Sequence, residues 1–186
     1  MNSIVIRYIL IPALQRLYQI DYNNIRFEVS ERNICARLAH HMENIMREYD
    51  RSNNTNYFQH YFADVEYNRM GNGDLKHYEN SEHRPQYMVS DLLIQSRGYN
   101  QNLLAVEMKR KGNNKNVKAD KERLISLVSS DIDNSPIRCV HDTLVGAFIQ
   151  YSTYGVQILI YENIGGKGIQ TNCINMPLEQ LTVEEQ

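Results

Sequence analysis

The chain has 186 residues, of which 42% are hydrophobic and 23% are charged. At roughly 150 residues per domain this length predicts one domain over 1–186, and the ordinary composition excludes disordered, collagen-like and coiled-coil classes. The 20 basic and 22 acidic residues give a net charge of -2. A polyanionic partner must therefore be held by a local patch and not by the overall charge.

The cysteines and the apolar stretches bear on where the protein resides. Three cysteines without a CxxC spacing argue against a disulfide scaffold and against a structural zinc site. The apolar start at 1–14 is interrupted by Arg7 and has no basic leader, so we expect no signal peptide. No run approaches the roughly 18 apolar residues of a spanning helix. We therefore predict a cytoplasmic protein with no membrane partner.

Hydrophobic periodicity predicts the elements in chain order. A helix is expected over 4–20, with Pro12 near its middle or marking a break. Ser30 can cap a second helix, whose apolar positions to Tyr49 recur at helical spacing. Strands are predicted at 57–69, 89–95 and 103–111, a long loop at 70–87, a helix at about 118–130, strands at 144–152 and 156–162, and Gly-rich turns with an acidic tail at 163–186.

This order predicts an α/β protein with a central mixed sheet flanked by helices. The elements run α-βββ-α-β-β, since strands that pair with one another and then cross over through a helix are typical of such a layer. The core covers about residues 30–162. Residues 1–29 form an N-terminal helical extension and 163–186 a C-terminal tail.

The strand LLAVEMKRK at 103–111 carries the most informative pattern. Strand side chains alternate between faces, so Glu107 and Lys109 project together while Val106 and Met108 point the other way. Charges on an otherwise apolar strand are costly unless they have partners. A metal ion and a phosphate group are partners that would explain an acid and a base at this spacing.

Three further charged residues are expected near this strand. If 97–102 is a hairpin turn, Asp91 lies opposite 107–109, and two carboxylates there offer oxygen ligands for a divalent cation. Glu31 begins the apolar stripe of the second helix. Lys121 begins another stripe, with Leu124 and Val128, so both residues should face the sheet.

These residues resemble the signature of the PD-(D/E)XK nuclease superfamily. Asp91, followed after fifteen intervening residues by Glu107-Met108-Lys109, matches its motif, except that Ser90 stands where the family name has Pro. The resemblance covers about 30–162 and implies a restriction-endonuclease-like core that hydrolyses phosphodiesters with Mg²⁺ or Mn²⁺. It implies that Asp91, Glu107 and Glu31 bind metal, that Lys109 serves the attacking water and that Lys121 contacts phosphate.

Local charge favours a nucleic-acid partner. From Glu107 to Arg123 seven basic residues face three acidic ones, which gives +4 in a chain whose total is -2. Such a patch can follow a phosphate backbone. The residues that we predict to bind nucleic acid are Arg69, Arg110, Lys111, Lys115 and Lys118.

Two alternatives stay open beside a nuclease that acts on DNA more readily than on RNA. One is a catalytically silent DNA-binding or assembly module on the same fold. The other is an interaction protein that forms a homodimer through the helix at 4–20, because its apolar face exceeds what a lone surface helix needs. A nuclease can also be a dimer, since both strands of a duplex must be cut.

Overall fold

The protein is an α/β protein with N-terminal helices and one six-stranded mixed sheet packed with helices. The structure is a computed structural model, and it describes residues 4–66, 77–79, 85–87, 89–97, 101–129 and 142–182. The predicted class, a mixed sheet flanked by helices with extra helical structure before it, is thereby confirmed.

The N-terminal segment is helical, as predicted, and Pro12 accounts for its irregular start. A π-helical stretch, Val5–Leu10, runs directly into α1, Ile11–Ile20, and a short helix α2, Tyr22–Arg26, follows. Proline has no N–H to donate and its ring crowds the preceding turn, so a regular helix cannot continue through it. The wider π turn, in which the N–H of Ile11 donates to the carbonyl of Ile6, absorbs this constraint.

The long helix α3, Glu31–Asn53, begins where the sequence predicts. The N–H of Asn33 donates to Oγ of Ser30 at 3.3 Å, which is the expected N-cap. Its buried stripe packs against the N-terminal helices and the sheet. The helix ends at Asn54, whose left-handed conformation is tolerated best by Asn and Gly.

The main sheet contains, in spatial order, β1 Tyr61–Val65, β4 Leu92–Ser96, β5 Gln101–Arg110, β6 Asp142–Ser152, β7 Gly155–Ile164 and β8 Lys167–Pro177. Among the described strands, only β5 and β6 pair in parallel, and helix α4, Val117–Val128, lies between these two strands in the chain. The other neighbouring pairs of this sheet are antiparallel.

The two faces of the sheet are covered unequally. One face, which includes Val106 and Met108, packs into a large core with α3 and the N-terminal helices. The opposite face, which includes Ala105 and Phe148, packs against α4 in a smaller cluster. The alternation predicted for 103–111 is therefore confirmed, and Glu107 and Lys109 lie on the α4 side.

Two predictions from the sequence are wrong in detail. Residues 163–186 were expected to be turns and a tail, yet β8, Lys167–Pro177, and a short helix α5, Leu178–Leu181, occupy much of this segment. β8 is an edge strand whose side chains are mostly exposed, so it lacks the apolar alternation that marks a strand. The predicted loop at 70–87 contains a small hairpin of β2, His77–Glu79, and β3, Pro85–Tyr87.

The apolar face of the N-terminal helices is used within the chain. Side chains such as Ile9, Leu14 and Leu17 are buried against α3 and the sheet. The apolar face that suggested a dimer is thus explained by packing within the chain. The homodimer stays a prediction, but this apolar face no longer supports it. In the described part of the chain, no helix combines the length and the apolar character needed to cross a bilayer.

The turn between β6 and β7 generates a prediction about stability. Gly155 has a φ of 135°, and a Cβ there would collide with the carbonyl oxygen of Met176 in β8. We expect Gly155→Ala to lower the free energy of unfolding by about 2–4 kcal/mol, measured by chemical denaturation. Gly165→Ala is the matched control, because Gly165 also has a positive φ but faces open space. Equal losses in the two variants would show that the close approach of β8 is unimportant.

Candidate active site

The β4–β5 hairpin brings Asp91 beside Glu107, as the sequence predicted. Leu92 pairs with Val106 across the hairpin, which sets Asp91 opposite Glu107. The backbone N–H of Met108 donates to Oδ2 of Asp91 at 2.8 Å. Burial raises the pKa of Asp91, and this N–H and Lys109 only partly oppose the effect. A protonatable carboxylate therefore lies at the start of β4.

Glu107 is the most deeply buried charged residue of the site. Its side chain has no solvent exposure, and Nε and Nη2 of Arg123 donate to its two oxygens at 2.9 Å each. Such a two-point contact between a guanidinium and a carboxylate is the strong form of ion pair. Burial raises the pKa of Glu107 to about 8, although Arg123 acts in the opposite direction.

Asp120, in the first turn of α4, contacts Arg123 of the same helix and Lys109 of β5. Its Oδ1 accepts from Nη2 of Arg123 at 2.5 Å, and its Oδ2 lies 3.3 Å from Nζ of Lys109. This Oδ2 is buried and accepts no hydrogen bond of normal geometry from the described residues. Asp120 is thus a carboxylate with one oxygen engaged and one directed at Lys109.

Lys109 lies at the centre of an acidic environment. Its ammonium is 3.3 Å from Asp120 and 3.6 Å from Oε2 of Glu31, with only 14% of the side chain exposed. Burial alone would lower the pKa of Lys109, but Asp120, Glu31 and Asp91 together raise it. Lys109 is therefore charged at neutral pH and acts as a hydrogen-bond donor.

Glu31 reaches the end of β5 from the start of α3. Its Oε1 accepts from the backbone N–H of Arg110 at 3.0 Å and from the side-chain amide of Asn113 at 2.9 Å. Burial alone would raise the pKa of Glu31, but these donors and Lys109 lower it. The predicted approach of Glu31 to the sheet is thus observed, and the carboxylate is ionised.

The remaining predicted residues occupy different surroundings. Lys121 extends over the ring of Phe148, with Nζ 5.0 Å from the ring centre. Arg110 pairs with Glu28 at 2.9 Å, which ties the end of β5 to the segment before α3. Lys111, Lys115 and Lys118 are exposed, and Arg69 lies outside the described residues.

Asp120 and Arg123 are the site residues that the sequence analysis missed. They stand three positions apart on α4, and Asp120 belongs to the buried face of that helix with Leu124 and Leu127. The spacing of Asp120 to Leu124 and Leu127 could therefore have predicted that Asp120 faces the sheet. The same kind of spacing led to that prediction for Lys121. No spacing predicts the burial of Arg123, because Arg123 is buried only through its contact with Glu107 in the folded protein.

The carboxylates have the right chemistry for Mg²⁺ or Mn²⁺, but they are not arranged around a cation. Four carboxylates, Glu31, Asp91, Glu107 and Asp120, face two cations, Lys109 and Arg123, so the formal charge of the cluster is 2 - 4 = -2. Hard oxygen ligands and excess negative charge favour a divalent ion. However, both oxygens of Glu107 are held by Arg123, and in the described part of the chain no three such side chains form a metal-binding group.

Comparisons with protein-family models, with curated proteins and with solved structures found no match to this chain. The geometry of the site therefore carries the functional argument.

The buried state of Glu107 generates a prediction about pH. The pKa of Glu107 in the folded protein, about 8, lies above its ordinary value near 4.5. The buried carboxyl group therefore contributes to stability at acid pH, and this contribution is lost as the pH rises toward 8. Glu107→Gln cannot ionise. We expect the wild type to lose stability relative to this variant by about 1 kcal/mol per pH unit between about pH 5 and 8, measured by urea denaturation at several pH values.

Glu48→Gln is the control for this measurement. The hydrogen bond from Arg16 lowers the pKa of Glu48, so its ionisation is complete below that window. Its effect on stability should stay constant from pH 5 to 8. A constant difference for Glu107→Gln as well would show that Glu107 is ionised at all these pH values.

Proposed function

We propose that the protein hydrolyses phosphodiester bonds of nucleic acid, with DNA favoured over RNA, on a PD-(D/E)XK, restriction-endonuclease-like core and with Mg²⁺ or Mn²⁺ as cofactor in the cytoplasm. The observation that carries this proposal is the convergence of Asp91, Glu107 and Lys109 on neighbouring strands. Glu31 joins them from the start of α3. Two carboxylates and a lysine in this order on neighbouring strands support the proposal, because they match the signature by their positions in the chain.

Lys109 has a defined role in this reaction. Because its ammonium is charged and partly buried, it can donate hydrogen bonds to the attacking water and to the phosphate oxygen on which charge develops. Asp120 and Glu31 hold the ammonium in place from two sides. A bound divalent cation would supply the charge that polarises the phosphate and lowers the pKa of water.

The surroundings of the site support a phosphate-rich partner. Lys111, Lys115 and Lys118 are exposed on the segment that leads from β5 into α4, next to Lys109. Lys118 is 84% exposed, and its ion pair with Glu122 is a surface contact that adds little stability. These ammonium groups can therefore release a carboxylate or a water molecule and bind a phosphate group in its place.

A second candidate function, a nucleic-acid-binding module without catalysis, is favoured by one observation. Arg123 occupies both oxygens of Glu107, which the first proposal needs as a metal ligand. If this pair is permanent, the buried guanidinium takes the place of a cation, and the fold binds nucleic acid without cutting it. The two candidates therefore differ in whether Arg123 can leave Glu107.

Cleavage by a Lys109→Ala variant tests the first candidate. We expect the wild type to cut plasmid or single-stranded DNA in Mg²⁺ or Mn²⁺ but not in EDTA. Loss of Lys109 should reduce the rate at least about 100-fold, because a donor to the developing charge is removed. The measurement is gel electrophoresis of the products with both proteins purified in parallel.

Lys167→Ala serves as the matched control, since Lys167 is exposed at the start of β8, away from the site. It should cut like the wild type. Equal cutting by the Lys109→Ala protein would point to a contaminating nuclease or a different site, and would overturn the assignment.

Metal binding by an Arg123→Gln variant separates the two candidates. Removal of Arg123 leaves Glu107 buried without its partner and leaves Asp120 with Lys109 alone, which we expect to destabilise the fold by about 3–5 kcal/mol. A cation that these carboxylates can hold should restore part of this loss. We therefore expect Mn²⁺ to raise the melting temperature of the variant by several degrees more than that of Lys118→Gln, measured by thermal denaturation with and without the ion.

The wild type completes this comparison. Site-specific Mn²⁺ binding to the wild type by calorimetry, lost in Asp91→Ala, supports the nuclease. No binding to the wild type but rescue of Arg123→Gln supports a module in which Arg123 replaces the metal. Absence of any metal effect in either protein would contradict a cation site at these carboxylates.

A further inference from the structure

A row of polar side chains crosses the sheet from the candidate active site to its far edge. Lys109 pairs in register with Gln150 on β6, Gln150 pairs with Gln157 on β7, and Gln157 pairs with Asn175 on β8. Directly paired residues share a face of the sheet, so all four side chains lie on the α4 side. The amide of Gln157 donates to Oδ1 of Asn175 at 3.0 Å, which confirms the shared face.

This row lies beyond the part of the sheet that α4 covers. The neighbouring row on the same face contains Phe148, which is fully buried, whereas Gln150 and Gln157 are half-buried and Asn175 is exposed. The polar row forms the floor of an open groove of about 250 Å³. The groove therefore begins beside Lys109 and runs toward β8.

The charge of this groove favours a polyanion. Lys111 lies at the end of the groove nearest the site, and no carboxylate is among the described residues that line it. Side-chain amides on the floor can donate and accept hydrogen bonds with bases and sugars. This composition contrasts with the acidic cluster around Lys109 at the start of the same row.

An exposed aromatic residue stands at the groove wall on a rigid turn. Tyr154, between β6 and β7, is 84% exposed. Its N–H donates to Oγ of Ser152 at 3.2 Å, and its carbonyl accepts from the N–H of Leu178 at 2.9 Å. The hydroxyl of Tyr18 in α1 also donates to the carbonyl of Ser152 at 2.7 Å. Contacts from three elements, β6, α5 and α1, thus hold the backbone of the turn that carries this exposed ring.

We infer that this groove, which we call the amide groove (Lys111, Gln150, Tyr154, Gln157 and Asn175), binds a single strand of nucleic acid next to the scissile phosphate. The inference rests on the proposed function, since it places the substrate of the same site. Three strand spacings of about 4.8 Å separate β5 from β8, so the row spans about 14 Å. This length accommodates about four nucleotides at a rise of 3.4 Å each.

The parts of the groove then have separate roles. Lys111 contacts a phosphate beside the site, and the amides of Gln150 and Gln157 contact sugars or base edges. Tyr154 stacks on a base, which is the usual contribution of exposed aromatic side chains to single-strand binding. Because stacking and amide contacts accept every base, the strand is bound with little sequence preference.

Binding of a fluorescent single-stranded oligothymidine tests this inference. Fluorescence anisotropy is measured in EDTA and again in Ca²⁺, so that binding is followed without dependence on turnover. We expect Tyr154→Ala to weaken binding about tenfold and Tyr154→Phe to restore it, because the ring and not the hydroxyl is used. Gln157→Ala should weaken binding with no change in salt dependence, whereas Lys111→Ala should lower the salt slope by about 1.

Tyr57→Ala and Gln59→Ala are the matched controls. Both residues are exposed and lie just before β1, at the opposite edge of the sheet, and Tyr57 is 68% exposed. They should bind like the wild type, and thermal denaturation should show all variants folded. Wild-type binding that is unaffected by the groove variants would overturn the amide groove alone. Absence of oligothymidine binding by the wild type in both buffers would likewise overturn the amide groove, whereas loss of metal-dependent plasmid cleavage is the separate result that would overturn the proposed function.

Discussion

The buried carboxylate of Glu107 sets the main constraint on this structure. A charge without solvent contact at the middle of a sheet is tolerated only with a partner that satisfies both oxygens. Arg123 is that partner, and it can reach Glu107 only if the first turns of α4 lie across the end of β5. The same placement brings Asp120 to Lys109, so one ion pair determines where the helix begins and which side chains meet in the site.

The N-terminal helices have a part in the same arrangement. They bury the opposite face of the sheet, and the hydroxyls of Tyr18 and Tyr22 donate to carbonyls of the β6–β7 turn. The turn that they hold carries Tyr154, on the wall of the amide groove. A segment that looked like an added extension in the sequence therefore supports a surface next to the candidate active site.

The two candidate functions describe one cluster with two possible partners for Glu107. A divalent cation and a guanidinium both neutralise a buried carboxylate, and the fold can serve either. Arg123 is the partner in this structure, while the excess of carboxylates over basic side chains in the cluster favours a cation. The nuclease and the silent module are therefore separated by one side chain and not by different folds.

The local patterns in the sequence determined most of the elements and four of the six charged residues of the site. The N-cap at Ser30, the alternation along β5 and the hairpin that sets Asp91 beside Glu107 follow from short-range spacing, and the structure contains all three. β8 escaped prediction because an exposed edge strand has no apolar alternation. Asp120 was overlooked although its spacing to Leu124 and Leu127 places it on the buried face of α4. Arg123 escaped because its burial depends on a helix packed over Glu107, which no spacing within α4 reveals. Only the tertiary structure decided which cation Glu107 contacts, since that choice follows from the distance between two elements and not from the pattern of either one.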